Sequence, residues 1–126
     1  MSLRTPLGRV RGLGSAKSGT HHFWIQRVTA IALIPLTLWF IYFVMTHVGA
    51  DHATVAAWLK SPVNAVLMVA LIVATFQHMQ LGLQVVIEDY VHGEGTKIVS
   101  LMVVKGGSFV LGVAASFAVL KVAFGG

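Results

Sequence analysis

The stretch "FQHMQLGLQVVIEDYVHG", residues 76–93, sits at the end of a long apolar run and carries polar groups that lipid does not tolerate without cause. It holds His78, three glutamines and an adjacent Glu88-Asp89-Tyr90. A polar group inside a membrane helix is costly, so each should have a partner or a task. Whether the segment is such a helix is decided by the rest of the chain.

Composition answers first. Of 126 residues, 56 % are hydrophobic and only 10 % charged, against about 25 % charged in soluble domains. A soluble domain of this size has too high a surface-to-volume ratio to bury that much apolar surface, so lipid is its better solvent. The chain is long enough for one domain, residues 1–126, and shows no internal repeat. It has no cysteine, which excludes disulfides and cysteine-held iron–sulfur clusters within it. Any iron–sulfur chemistry linked to it belongs to another subunit.

The net charge of +5 is unevenly placed and does not point to nucleic acid. Arg4, Arg9, Arg11, Lys17 and Arg27 all precede the first apolar run, and no acidic residue occurs before Asp51. Residues 1–27 therefore read as a cytoplasmic, basic N-terminus under the positive-inside rule. An acid-free start with Arg and Ser also suits an organelle transit peptide, but here it runs directly into the His21-His22 segment.

Three apolar segments are expected to span the membrane, at about residues 28–48, 63–91 and 98–124. The first, 21 residues long, would extend about 31 Å, matching the hydrocarbon core. Pro35 interrupts it, which membrane helices accept when neighbours satisfy the freed carbonyl. The connection "GADHATVAAWLKS", residues 49–61, suits the outer side, with a short interfacial helix around residues 54–60 carrying Trp58 at the headgroups. Pro62 favours a helix start, and Gly93 and Gly95 are expected to stop that helix. In the third segment Ser108, Gly112 and Ser116 form a stripe that lets another helix approach closely, and Lys105 reads as a snorkelling anchor. The expected fold is an all-α integral membrane protein of three spans, N-terminus cytoplasmic and C-terminus periplasmic, in a bacterial inner membrane.

Within the second span, His78 and Asp89 are eleven positions apart, which places them on nearly one helix face about 16 Å apart along the axis. Gly82, one turn from His78, leaves that face bare, as a flat macrocycle would require. From spacing alone His78 has two readings. It could be an axial ligand of haem iron, or simply an intramembrane histidine bonded to a neighbouring helix. As a ligand it would need a second histidine from a partner chain, because His47 and His52 fall on the outer side and His21, His22 and His92 on the inner. Asp89-Tyr90 reads either as an interfacial anchor or as a hydrogen-bonding and proton-exchanging pair beside an amphiphilic quinone. His92 could relay protons or be a solvated surface histidine. The glutamines, taken as pointing in several directions, read as interhelical hydrogen-bonding groups.

Two motifs add a resemblance. His78, ten residues and Asp89-Tyr90 resemble the His-x10-Asp-Tyr signature of the small, D-type membrane-anchor subunits of succinate dehydrogenase (succinate:quinone oxidoreductase). The stretch "GTHHFWIQRVTAIAL", residues 19–33, is similar to the Gly-x-His-x-Phe-x-x-x-Arg-x-Thr-Ala start of their first span. The basic Ser-Pro-His motif of the sister anchor is not found. The resemblance implies that His78 binds a b-type haem shared with the sister anchor, beside the face that Gly82 leaves bare, and that Arg27 and His21, or His22 next to it, face its propionates. It implies also that Tyr90 and Asp89 bind ubiquinone. The implied partners are a flavoprotein, an iron–sulfur subunit and a second anchor, and the chain itself oxidises no succinate. The rivals are the anchor of a quinol:fumarate reductase, and a structural or transport subunit without haem.

Overall fold

The computed structural model describes residues 5–12 and 19–125, so Arg4 and Lys17 of the basic N-terminus lie outside the described residues. The described residues are helical throughout their ordered elements: α1 (Pro6–Val10), α2 (Gly19–Thr46), α3 (His52–Leu59), α4 (Pro62–Tyr90) and α5 (Glu94–Ala123). Three of these, α2, α4 and α5, are long and apolar enough to cross a membrane. Their 28, 29 and 30 residues correspond to about 42–45 Å at 1.5 Å per residue, more than the roughly 30 Å of the hydrocarbon core. Each must therefore tilt or project from it.

The first span illustrates the excess. The apolar run begins at about residue 28, but α2 starts at Gly19, because "HHFWIQR" contains nothing that breaks a helix. Pro35 lies inside α2 without ending it. The helix stops at Thr46, and Gly49 turns the chain with a φ of 80°, a conformation that glycine adopts at little cost. Next, Asp51 caps α3, its carboxylate accepting from the Thr54 backbone N–H at 2.9 Å and from the Thr54 hydroxyl at 2.6 Å. These two donors hold the Asp51 carboxyl below its ordinary pKa, the side-chain bond being the larger cause.

The α4–α5 junction corrects one expectation. The second span ends at Tyr90 in an extended residue, Val91 (φ −96°, ψ 117°), before either glycine is reached. Gly93 is the N-cap of α5 with a φ of −74°, and Gly95 lies inside the first turn of that helix. Neither acts as a left-handed helix stop. Glu94 in the first turn complements the helix dipole instead.

In the tertiary arrangement α4 lies between α2 and α5 and packs along both. The small-residue stripe of α5 faces α4: Ser108 is only 6 % exposed, and a methyl at Gly112 would sit 3.7 Å from Phe76. Apart from Ser108, the buried residues among those described are Ala65 and Leu81. So small an interior is what lipid permits, since packing in a bilayer rests on close approach and polar contacts more than on removing apolar surface from water. At the α3 end, Trp58 stacks on Phe43 with ring centroids 4.0 Å apart and on Trp39 at 5.4 Å. Asn64 of α4 donates to the Trp58 carbonyl at 2.9 Å, tying the short helix to both neighbouring spans.

Candidate functional site

Chemistry-bearing residues of α2 and α4 meet around His78. Its Nδ1 lies 3.1 Å from the Thr29 hydroxyl of α2. That hydroxyl also donates to its own helix, with Ile25 O at 2.7 Å and Gln26 O at 3.1 Å. Among the described residues this is the only hydrogen bond that His78 makes. It occupies one ring nitrogen and leaves Nε2 free.

The same face of α2 carries Gln26 and His22, one and two turns before Thr29 respectively. Both present a buried polar atom, His22 Nε2 and Gln26 Oε1, that has no hydrogen-bond partner among the described residues. A buried polar atom without a partner is rare in a finished assembly and calls for an external donor or acceptor. On α4, a side chain at Gly82 would meet nothing within 4 Å, so packing within this chain does not demand a glycine there. Open space beside His78, a free imidazole nitrogen and orphaned polar atoms on the facing helix suit a flat ligand with polar substituents.

Not every expected residue joins this face. His21 is exposed, whereas its neighbour His22 is turned inward. Arg27 is two residues from Thr29, about 200° round the helix, and is exposed with its guanidinium 5.2 Å from the Phe23 ring centre. Asp89 and Tyr90 are also exposed at the end of α4, Tyr90 by 75 %. Their side chains make no hydrogen bond with another described residue, so they are free to meet a group from outside the chain. His92 is exposed just beyond them.

The glutamines require a correction. Residues 77, 80 and 84 are spaced i, i+3, i+7, which is one helix stripe rather than several directions. Gln77 and Gln80 line a cavity of about 510 Å³ between α4 and α5, together with Ser108 and Ser116. Gln84 donates to Glu88 Oε1 at 3.0 Å. The spacing itself contained this signal. A second cavity of about 290 Å³ shares Val69 and Leu120 with the first and continues the groove toward Lys60. This groove lies on the side of α4 opposite His78. Among the described residues no three His, Asp, Glu or Cys side chains converge to hold a bare metal ion. Iron at His78 would need its other ligands from a macrocycle and a partner chain.

Fold and site together define a three-span membrane subunit that holds a histidine between its first two spans. Residues 1–118 match the family described as succinate dehydrogenase/fumarate reductase transmembrane subunit, and the chain belongs to that family. It is similar to the succinate dehydrogenase hydrophobic membrane anchor subunit of Rickettsia bellii, 39 % identical over 88 residues that cover 70 % of each chain. With the corresponding subunit of Rickettsia conorii it is 43 % identical, over 66 % of this chain and 67 % of the relative. The Paracoccus denitrificans subunit is 33 % identical, over 74 % of this chain and 71 % of the relative. No solved structure matches the chain. The bacterial relatives and the three apolar helices make it a multi-pass protein of the bacterial inner membrane.

Proposed function

We propose that this chain anchors a succinate dehydrogenase in the membrane, contributes His78 as an axial ligand of a b-type haem, and forms part of the ubiquinone site with Tyr90 and Asp89. The observation that carries the haem assignment is the environment of His78. One nitrogen is engaged by Thr29 and the other is free, while a methyl at Gly82, one turn away, would meet nothing within 4 Å among the described residues. A neutral imidazole in apolar surroundings is a good iron ligand. When bound, the haem would supply a one-electron carrier within the bilayer.

The remaining roles follow from position and chemistry. Arg27, exposed on the side of α2 away from Thr29, would offer its guanidinium to a carboxylate substituent in a bidentate fork, and the exposed His21 a hydrogen bond. His22, whose Nε2 is buried and unpartnered, is better placed than His21 on the face that carries Thr29. Tyr90 has an exposed phenol that can donate to a quinone carbonyl, and Asp89 beside it can exchange a proton with water. The N-terminus is assigned to the cytoplasmic side, which puts Asp89 and Tyr90 on that side too. A flavoprotein and an iron–sulfur subunit would dock there, with a second anchor subunit supplying the other haem ligand.

The test is an absorption spectrum of the purified complex. A dithionite-reduced b-type spectrum is expected from the native complex and is lost in His78→Ala. A spectrum unchanged by that substitution would overturn the ligand assignment.

A further inference from the structure

We infer that Thr29 is a positioning residue for His78, holding it as the tautomer with a proton on Nδ1 and a free lone pair on Nε2. The inference rests on the reading of His78 as an iron ligand and adds to it the group that decides which nitrogen faces the metal.

The argument is a count of hydrogens. A threonine hydroxyl has one proton to donate and lone pairs to accept with. At 2.7 Å from Ile25 O, the Thr29 oxygen is at the usual O–H···O distance from a group that can only accept. Gln26 O at 3.1 Å is a second such acceptor on the same side. The single proton is therefore directed at the backbone of α2. If it pointed to His78 instead, two oxygens would face each other at 2.7 Å with no hydrogen between them. The 3.1 Å contact to Nδ1 is favourable when the imidazole donates and Thr29 accepts. A neutral imidazole carries one proton, so Nε2 is the nitrogen left as a base.

Metal-bound histidines commonly donate their second N–H to an oxygen, which fixes ring orientation and raises ligand basicity. Thr29 supplies that oxygen from the facing helix. A bond that served only to join two helices would place no demand on Nε2. With an iron ligand the outcome depends on it, because a more electron-rich imidazole favours the ferric state.

The experiment compares Thr29→Val, Thr29→Ala and Thr29→Ser in the whole complex, reading the haem midpoint potential and the low-spin ferric EPR signal. Valine and alanine remove the acceptor with different shapes, and serine retains it. The potential is expected to rise and the largest g value to move in both the valine and alanine variants, with the serine variant close to native. Loss of haem from the valine and alanine complexes with retention in the serine complex supports the same conclusion, since loss of such a partner weakens metal binding by about 10–100-fold. Native potential and g values in either the valine or the alanine complex overturn it. So does a serine variant that departs from native together with the alanine variant, since serine keeps the hydroxyl and lacks only the methyl. His78→Ala, measured alongside, separates the two assignments: a haem spectrum that survives it defeats the ligand reading itself.

Discussion

Thr29 of α2 and His78 of α4 are joined at 3.1 Å, and among the described residues no other side-chain hydrogen bond links the first two spans. Interhelical hydrogen bonds in membranes contribute about 0.6 kcal/mol on average and up to about 1.7. That is too little to account for the packing of two long helices, which close contact along α4 supplies. The bond orients an imidazole more than it holds the fold.

Gly82 tests the space beside that imidazole. A methyl there meets nothing within 4 Å among the described residues, and glycine in a helix interior costs about 0.5–1 kcal/mol relative to alanine. Gly82→Val is therefore expected to leave the complex assembled while reducing its haem content at least about tenfold, a free-energy loss of roughly 1.4 kcal/mol. Haem content by pyridine haemochrome against protein measures this. A valine variant with full haem would show that the bare face has no part in binding.

Tyr90 is expected to matter for quinone and not for succinate. Its phenol is exposed at the end of α4, and removing one neutral hydrogen bond of about 0.5–1.5 kcal/mol should lower quinone reductase activity by roughly 2–10-fold in Tyr90→Phe. Succinate oxidation with an artificial acceptor should be unchanged. Equal loss of both activities would mean that Tyr90 serves assembly instead.

Trp58 joins α3 to α2 through its stacks on Phe43 and Trp39. Each aromatic pair contributes about 0.5–1.5 kcal/mol beyond its buried area, so Trp58→Ala is expected to destabilise the chain by about 1–3 kcal/mol, with Trp58→Phe close to native. Thermal unfolding of the complex in detergent gives the comparison. A neutral alanine variant would leave Trp58 only a headgroup role.

The cap of α3 predicts a pH response. The Thr54 hydroxyl and amide lower the Asp51 pKa, so the ionised carboxylate is favoured in the folded state. Its contribution is complete above the ordinary aspartate value of about 3.9 and fades as the pH falls through the lowered folded value. Amide exchange at Thr54, corrected for the intrinsic rate, should therefore lose protection on acidification below that range. Asp51→Asn, which keeps an accepting oxygen but cannot ionise, should remove the pH dependence. Identical profiles in the two proteins would reject the cap as its source.

How much of this was readable beforehand differs from residue to residue. The alignment of His78, Gly82 and Asp89 on one face follows from helical period alone, and so does the glutamine stripe, through its i, i+3, i+7 spacing. The end of α4 is legible only approximately, because extended backbone at Val91 breaks the helix ahead of Gly93 and Gly95. His22, rather than His21, turns inward because of the way α2 is rotated against α4, and nothing in the local sequence "THHF" sets that rotation.

The sequence by itself determined three spans, because their length and hydropathy are conditions that a bilayer imposes on each segment independently. Its paired motifs were enough to indicate the family. Only the tertiary structure decided that Thr29 meets His78, that Gly112 lies against Phe76 and that Arg27 faces away from the Thr29 side of α2. Those contacts depend on how whole helices are rotated and offset against each other, which no single segment's hydropathy encodes. They bear on the chemistry most directly at one point, where a hydroxyl on one helix determines which nitrogen of a histidine on another remains free.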